Sequence, residues 1–215
     1  MTRICPDLSL YLVLGADDTA GRALERVAAA AVKGGVTVVQ LREKDAPTRT
    51  VLDRARRLKG VLDPLGIPLL VNDRLDVAMA AGAAGVHLGQ DDMPPDAARR
   101  LIGEDAILGL SVGDAAEAAT ADPAIVDYVG IGPTFSTGTK SDAGEAIGPA
   151  SIEALRRSVG LPSVAIGGIN AGNVYQLAGI YIEGVAVVSA IAAAPDPESA
   201  ARYLWQAFTA ARPVY

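Results

Sequence analysis

The sequence predicts a (β/α)8 barrel, and three observations lead to that reading. The 215-residue chain carries eight short apolar runs: Leu8–Gly15, Thr37–Lys44, Pro68–Asn72, Gly85–Gly89, Ile107–Ser111, Tyr128–Pro133, Ser163–Gly168 and Gly184–Ser189. They are rich in Val, Ile and Leu and largely continuous, the pattern of parallel strands covered on both faces. Between them stand segments with helical spacing, which gives the strand–helix alternation of a barrel. The third observation concerns the alternative. An open doubly wound sheet usually carries a G-x-G-x-x-G turn after its first strand, and the first run here ends "LGADDTAG". No linker, low-complexity tract or composition break divides the chain, so the expected organisation is one barrel domain over residues 1–215.

Taken in order, the first run is followed by a helical segment at Ala20–Lys33. The second ends in "QLREK" and leads into Thr48–Leu62. The third ends in "VND" before Arg74–Ala81, and the fourth in "HLGQDD". The fifth ends in "GLS" and the sixth in "GPTFSTGTK", before a helix at Ser151–Val159. The seventh ends in "AIGGIN" and the eighth in "VVSA". The last helix is Pro197–Ala210, where Pro197 suits a first helical position. Polar residues gather at one end of the strands, and barrels of this kind carry their chemistry at the C-terminal strand ends.

Composition excludes several classes of function. Half of the residues are hydrophobic and the net charge is −6, with a sequence pI near 4.8. Bulk electrostatics therefore oppose nucleic acid and anionic membrane surfaces, and an anion site must be a local positive spot. The single cysteine, Cys5, rules out an intrachain disulfide and a Cys-rich metal site, and fits a reducing cytoplasm. Neither a signal-peptide pattern nor an apolar run of membrane-spanning length is expected from the sequence.

Within "VVQLREK", period-two alternation places Val38, Gln40, Arg42 and Lys44 on one face and Val39, Leu41 and Glu43 on the other. With Val38 facing inward, two cations reach the rim. Arg42 and Lys44 can also simply emerge into solvent, but Gln40 lies well inside the strand and needs a partner when buried. Asn72 and Asp73 end the third run, and Asp91 and Asp92 follow the fourth. Asp73 alone reads as a cap for the next helix. Two adjacent loops that each offer a carboxylate also suit Mg2+, which takes one or two carboxylates, water and substrate phosphate. His87, the single histidine, reads as a packed strand residue with a satisfied hydrogen bond. No Ser/His/Asp set or catalytic-cysteine setting is present, so nucleophilic catalysis is not indicated. Thr137, Gly138, Thr139 and Lys140 offer hydroxyls, unhindered N–H groups and an ammonium to an anion. Gly167-Gly168 and Val188-Ser189 end the last two runs, where barrels often bind phosphate.

The motifs "QLREK", "NDRLDVAMAAGAAGVHLGQDD", "LGLS", "DYVGIGPTFSTGTK", "AIGGIN" and "GVAVVSAI" resemble thiamine-phosphate synthases in order and spacing. The resemblance implies condensation of a hydroxymethylpyrimidine pyrophosphate with a hydroxyethylthiazole phosphate, assisted by Mg2+. It implies that Gln40, Leu41, Arg42, Glu43 and Lys44 bind the pyrimidine pyrophosphate, with Asn72, Ser111 and Lys140 completing that pocket. Asp73 and Asp92 would ligate Mg2+. Thr137, Gly138 and Thr139 would hold the thiazole phosphate, with Gly168, Val188 and Ser189 closing its far side. Arg42, Lys44, Ser111 and Lys140 would act on the leaving pyrophosphate in a dissociative reaction that needs little acid–base machinery. The chain departs from the family pattern at Gly113, where members often carry histidine, and in the stretch "LAGIYIEGVAVV". A thiazole tautomerase would not need the pyrophosphate–metal cluster. A non-catalytic phosphometabolite-binding barrel stays open from sequence alone.

Overall fold

The computed structural model of the chain describes residues 5–138 and 144–210. Its strands are β1 (Leu10–Leu14), β2 (Val38–Leu41), β3 (Leu69–Asn72), β4 (Gly85–Leu88), β5 (Ile107–Val112), β6 (Tyr128–Ile131), β7 (Ser163–Ile166) and β8 (Gly184–Val187). Each pairs in parallel with its sequence neighbours, and β8 returns to β1 through Leu10↔Val185 and Leu12↔Val187, closing the barrel. The expected (β/α)8 architecture is the observed one. The helices are α1 (Leu24–Lys33), α2 (Thr48–Leu62), α3 (Leu75–Ala81), α4 (Pro95–Ile102), α5 (Ala115–Ala118), α6 (Gly148–Val159), α7 (Ser189–Ala192) and α8 (Pro197–Thr209). No helix among the described residues is long and apolar enough to cross a membrane.

Two connections are thinner than the alternation predicts. Between β5 and β6 the helix shrinks to α5, and between β7 and β8 only a 3-10 turn, Val174–Leu177, remains. Both linking sequences contain residues that interrupt helices: Pro123 in the first, Gly172 and Gly179 in the second. The first helix begins later than the apolar pattern suggests because Ala20 and Gly21 take positive φ, 52° and 78°. Pro197 does open α8, with the Asp196 side chain accepting from the N–H groups of Glu198 and Ser199.

Strand alternation divides the buried residues into two sets. The outward set, including Val39, Leu41, Val71, Leu88 and Val129, joins the helices in a large outer core. The inward set, Tyr11, Val13, Val38, Leu70, Tyr128, Val164 and Ala186, fills the barrel with Leu8. Among the described residues an ion pair, Arg99 with Asp127, is buried beside the outer core. The Arg99 guanidinium on α4 donates to the carbonyls of Gly103 (2.8 Å), Ala106 (2.6 Å) and Ile125 (2.9 Å), and to Asp127 Oδ2 at 2.8 Å. Asp127 Oδ2 also accepts from the Leu108 N–H at 2.7 Å. This arginine ties α4, the entry to β5 and the entry to β6 together.

Removing one partner of such a pair strands the other. Arg99→Met is expected to cost about 3–5 kcal/mol in denaturant unfolding, because Asp127 stays buried without its cation. Arg100→Met, which breaks only the exposed pair with Asp96, should leave the unfolding midpoint essentially unchanged. Equal losses in the two variants would contradict this account of Arg99.

Candidate functional site

The C-terminal strand ends open into a cavity of about 820 Å³. Its wall includes Lys44, Asp92, Ser111, Thr137, Gly138, Gly168, Val188 and Ser189. Gln40, Arg42, Asn72 and Asp73 belong to the β2 and β3 side of the mouth and lie outside that wall. Thr139 and Lys140 lie outside the described residues.

On β2, Val38 joins the inner core and Gln40 Nε2 donates to the Tyr11 hydroxyl at 2.7 Å, so the even-numbered face points inward as expected. Leu41 and Glu43 face the other way. The Leu41 side chain is fully buried in the outer core. Glu43 pairs with Arg54 at 2.7 Å and accepts from the Ala16 N–H at 2.9 Å. Within the stretch Gln40 to Lys44 expected at the pyrimidine pyrophosphate, these two side chains point away from the mouth. The pleat turns them toward the helices, and Glu43 ties the β1 loop to α2.

The end of β3 is unusual in its backbone. Asp73 takes φ 60°, a left-handed conformation costly for a residue other than glycine. Its N–H donates to the His87 carbonyl at 2.9 Å. It does not cap the next helix: Arg74 is the residue before α3, and no side chain caps that end. The carboxyl group instead lies close enough to that of Asp92 for the two to repel. Burial, then Asp92, push Asp73 up to about 6, while Lys44 and Arg42 pull it down. Asp92 Oδ2 accepts from the Gly89 N–H at 2.7 Å, which fixes one oxygen against its own loop. Among the described residues no group of three or more His, Cys, Asp or Glu side chains forms a metal cage. The donor set here is two carboxylates, whose mutual repulsion a divalent cation would relieve. That chemistry fits Mg2+ with water and substrate oxygens as its remaining ligands.

Ser111 on β5 has its Oγ 3.0 Å from His87 Nε2, and its carbonyl accepts from Gln90 Nε2 at 2.7 Å. His87 is buried and hydrogen-bonded as expected, but the identity of its partners makes it the floor of the site. At Gly113 the N–H donates to Glu117 Oε2 at 2.6 Å, and both residues line the cavity. A carboxylate on α5 thus occupies the wall beside Gly113.

The loop after β6 is anchored at its base to the end of β7. Thr134 donates from its N–H and its hydroxyl to the Ile166 carbonyl, at 2.8 and 3.0 Å, and the Phe135 N–H donates to the Gly167 carbonyl at 3.0 Å. This approach requires glycine at 168. Its φ is +66°, and a Cβ there would sit 2.6 Å from the Ser136 carbonyl oxygen. Thr137 and Gly138 are thereby carried to the rim facing Val188 and Ser189. Glu117, Gln90 and Asn170 also line the cavity and were not singled out from sequence. Only their place just beyond strand ends could have flagged them.

A family model described as thiamine monophosphate synthase matches residues 10–191. A thiamine-phosphate synthase of Xanthobacter autotrophicus is 55% identical over 206 residues, covering 96% of this chain and 98% of the relative. One from Azorhizobium caulinodans is 52% identical, covering 92% and 93%. A solved thiamine phosphate pyrophosphorylase from Pyrococcus furiosus superimposes with a TM-score of 0.86 at 34% identity, covering 95% of this chain and 97% of that one. The chain belongs to the thiamine monophosphate synthase family.

Proposed function

We propose that the chain condenses hydroxymethylpyrimidine pyrophosphate with hydroxyethylthiazole phosphate, releasing thiamine monophosphate and pyrophosphate. The observation that carries this reading is a single mouth combining Lys44, a carboxylate pair and a hydroxyl- and glycine-lined wall. A tautomerase acting on the thiazole phosphate alone would have no use for the carboxylate pair.

In this reading the stretch Gln40 to Lys44, with Asn72, Ser111 and Lys140, receives the pyrimidine pyrophosphate. The cations and the Ser111 hydroxyl stabilise charge that grows on the departing pyrophosphate. Asp73 and Asp92 would hold Mg2+, which when bound supplies further neutralisation of that leaving group. Thr137, Gly138 and Thr139 hold the thiazole phosphate against Gly168, Val188 and Ser189. With both rings fixed side by side, the bond to pyrophosphate breaks and the thiazole nitrogen captures the pyrimidine cation. No general base is required, which agrees with a site built from anion donors rather than a nucleophile and its base.

The carboxylate pair predicts a pH-dependent response to metal. In the metal-free protein the folded-state value of Asp73 lies above that of an unfolded aspartate, 3.8. The folded state then binds more protons, so stability falls as pH rises from about 4 through about 6. Mg2+ should relieve this repulsion. It is expected to raise Tm more at pH 7.5 than at pH 5, roughly on the scale of the carboxylate titration. Asp92→Asn should abolish the shift and the activity. An undiminished shift in that variant would assign the metal elsewhere.

Facing predicts a contrast on β2. Arg42→Ala should lower kcat/KM by at least about a hundredfold, as the loss of a charged contact to a leaving group implies. Glu43→Gln should lower Tm through its lost pair with Arg54 and keep most of its activity. Turnover and thermal unfolding of the two proteins decide it.

The loop after β6 should separate affinity from chemistry. The thiazole phosphate keeps its charge through the reaction, so Thr137→Val should raise KM for that substrate more than it lowers kcat. Lys140→Ala should lower the single-turnover rate even with both substrates saturating. The same pattern in both variants would reject the division.

A further inference from the structure

Beneath the cavity, a line of hydrogen bonds crosses the barrel interior. Gln40 Nε2 donates to the Tyr11 hydroxyl at 2.7 Å, and the Tyr11 and Tyr128 hydroxyls are 2.9 Å apart. The Tyr128 hydroxyl is 2.8 Å from His87 Nδ1, and His87 Nε2 is 3.0 Å from Ser111 Oγ. The two end residues belong to the proposed pyrimidine pocket. The three between them are buried in the barrel. The sequence makes room for them with glycine: a Cβ at Gly109 would lie 2.3 Å from the Tyr128 ring and 2.5 Å from His87 Nδ1. A space so tightly fitted holds these side chains in one arrangement.

The line has a direction, obtained by counting donors. Among the described residues, the Tyr11 hydroxyl has the Gln40 amide nitrogen and the Tyr128 hydroxyl as partners. An amide nitrogen only donates. Tyr11 therefore accepts from Gln40 and passes its own proton toward Tyr128. Tyr128, having accepted, donates to His87 Nδ1. The imidazole must then carry its proton on Nε2 and donate it to Ser111 Oγ. The reverse order would leave a buried Tyr11 proton with no acceptor, which the interior does not offset. Burial raises the titration of both phenols well above the ordinary tyrosine value, so both keep the protons this order needs.

We infer that Gln40 orients this buried chain, fixing His87 as the Nε2–H tautomer and turning the Ser111 hydroxyl proton toward the cavity as a donor. Ser111 accepts from His87 below and donates above, the polarity an anionic oxygen requires. His87 and the tyrosines are positioning residues, acting through Ser111. The tautomer claim concerns the free protein. Only its catalytic consequence rests on the proposed binding of pyrophosphate by Ser111.

The single histidine of the chain makes the test direct. Heteronuclear NMR of protein labelled at the histidine ring nitrogens reports one imidazole with no assignment problem. Near neutral pH the expected spectrum is that of a neutral Nε2–H ring. An Nδ1–H ring, an imidazolium or an even mixture in the wild type would overturn the inference, whatever the activity. Tyr11→Phe keeps the ring and removes the link, so it should give a mixture of tautomers. It should also lower kcat about tenfold with KM for both substrates nearly unchanged, the scale of one hydrogen bond lost in the transition state. An unchanged single tautomer in this variant would remove Gln40 from control. Should Tyr11→Phe fail to fold, Gln40→Met cuts the same link and is held to the same two outcomes. Full activity in Ser111→Ala beside the expected wild-type spectrum would reject the substrate reading of Ser111 and leave the tautomer intact.

Discussion

The interior of a closed barrel holds little solvent, so a polar group that points inward must find its partner inside. Much of the site follows from this constraint. The pleat sends Tyr11, Gln40, His87 and Tyr128 toward the axis, where they satisfy one another at 2.7 to 2.9 Å. Among the described residues no buried side-chain nitrogen or oxygen lacks a hydrogen bond. The same pleat sends Leu41 and Glu43 outward to the helices. Strand periodicity thereby separates residues that serve the mouth from neighbours in sequence that serve the wall.

Charge is divided in a similar way. The chain is acidic, with net charge −6, yet several of its arginines are committed to the fold. Arg22 donates to the carbonyls of Ala192 and Ala194, each at 2.7 Å, closing the end of α7. Arg99 serves α4 and Asp127, and Arg156 pairs with Glu183 at 2.8 Å while lying over the Tyr181 ring. Arg42 and Lys44 instead stand where their field reaches the Asp73 carboxyl. The mouth therefore contains carboxylates crowded together and cations close by. Such an arrangement is poorly satisfied by protein alone and better satisfied by a metal with a polyanion.

The barrel was readable from the apolar runs because parallel strands covered on both faces leave a continuous signature. The inward face of β2 was readable because Gln40 interrupts that signature. Helix lengths were less readable, since the Ala-rich stretch before Pro123 keeps helical spacing after the backbone has stopped being helical. The cap expected at Asp73 failed because the left-handed turn spends the residue on meeting Asp92. For Asp73, Asp92, Ser111 and Thr137, the family motifs located the positions and the folded chain supplied their neighbours. The partners of His87 were hidden because they lie on β5 and β6, far away in sequence, and no local pattern announces a contact across a barrel. Arg99 was hidden for the same reason.

The backbone at Asp73 has a consequence for how this protein could change. A residue at φ 60° would sit more easily as glycine or asparagine, and either would also remove the repulsion with Asp92. A library selected only for heat resistance should therefore drift toward losing this carboxylate, since the metal-free fold gains by it. This chain carries the aspartate against the preference of its own backbone. Under the proposed metal role, that makes it a sharper mark of a working enzyme than a residue of the core. Descendants that have abandoned the reaction should be recognisable by a relaxed residue at this one turn.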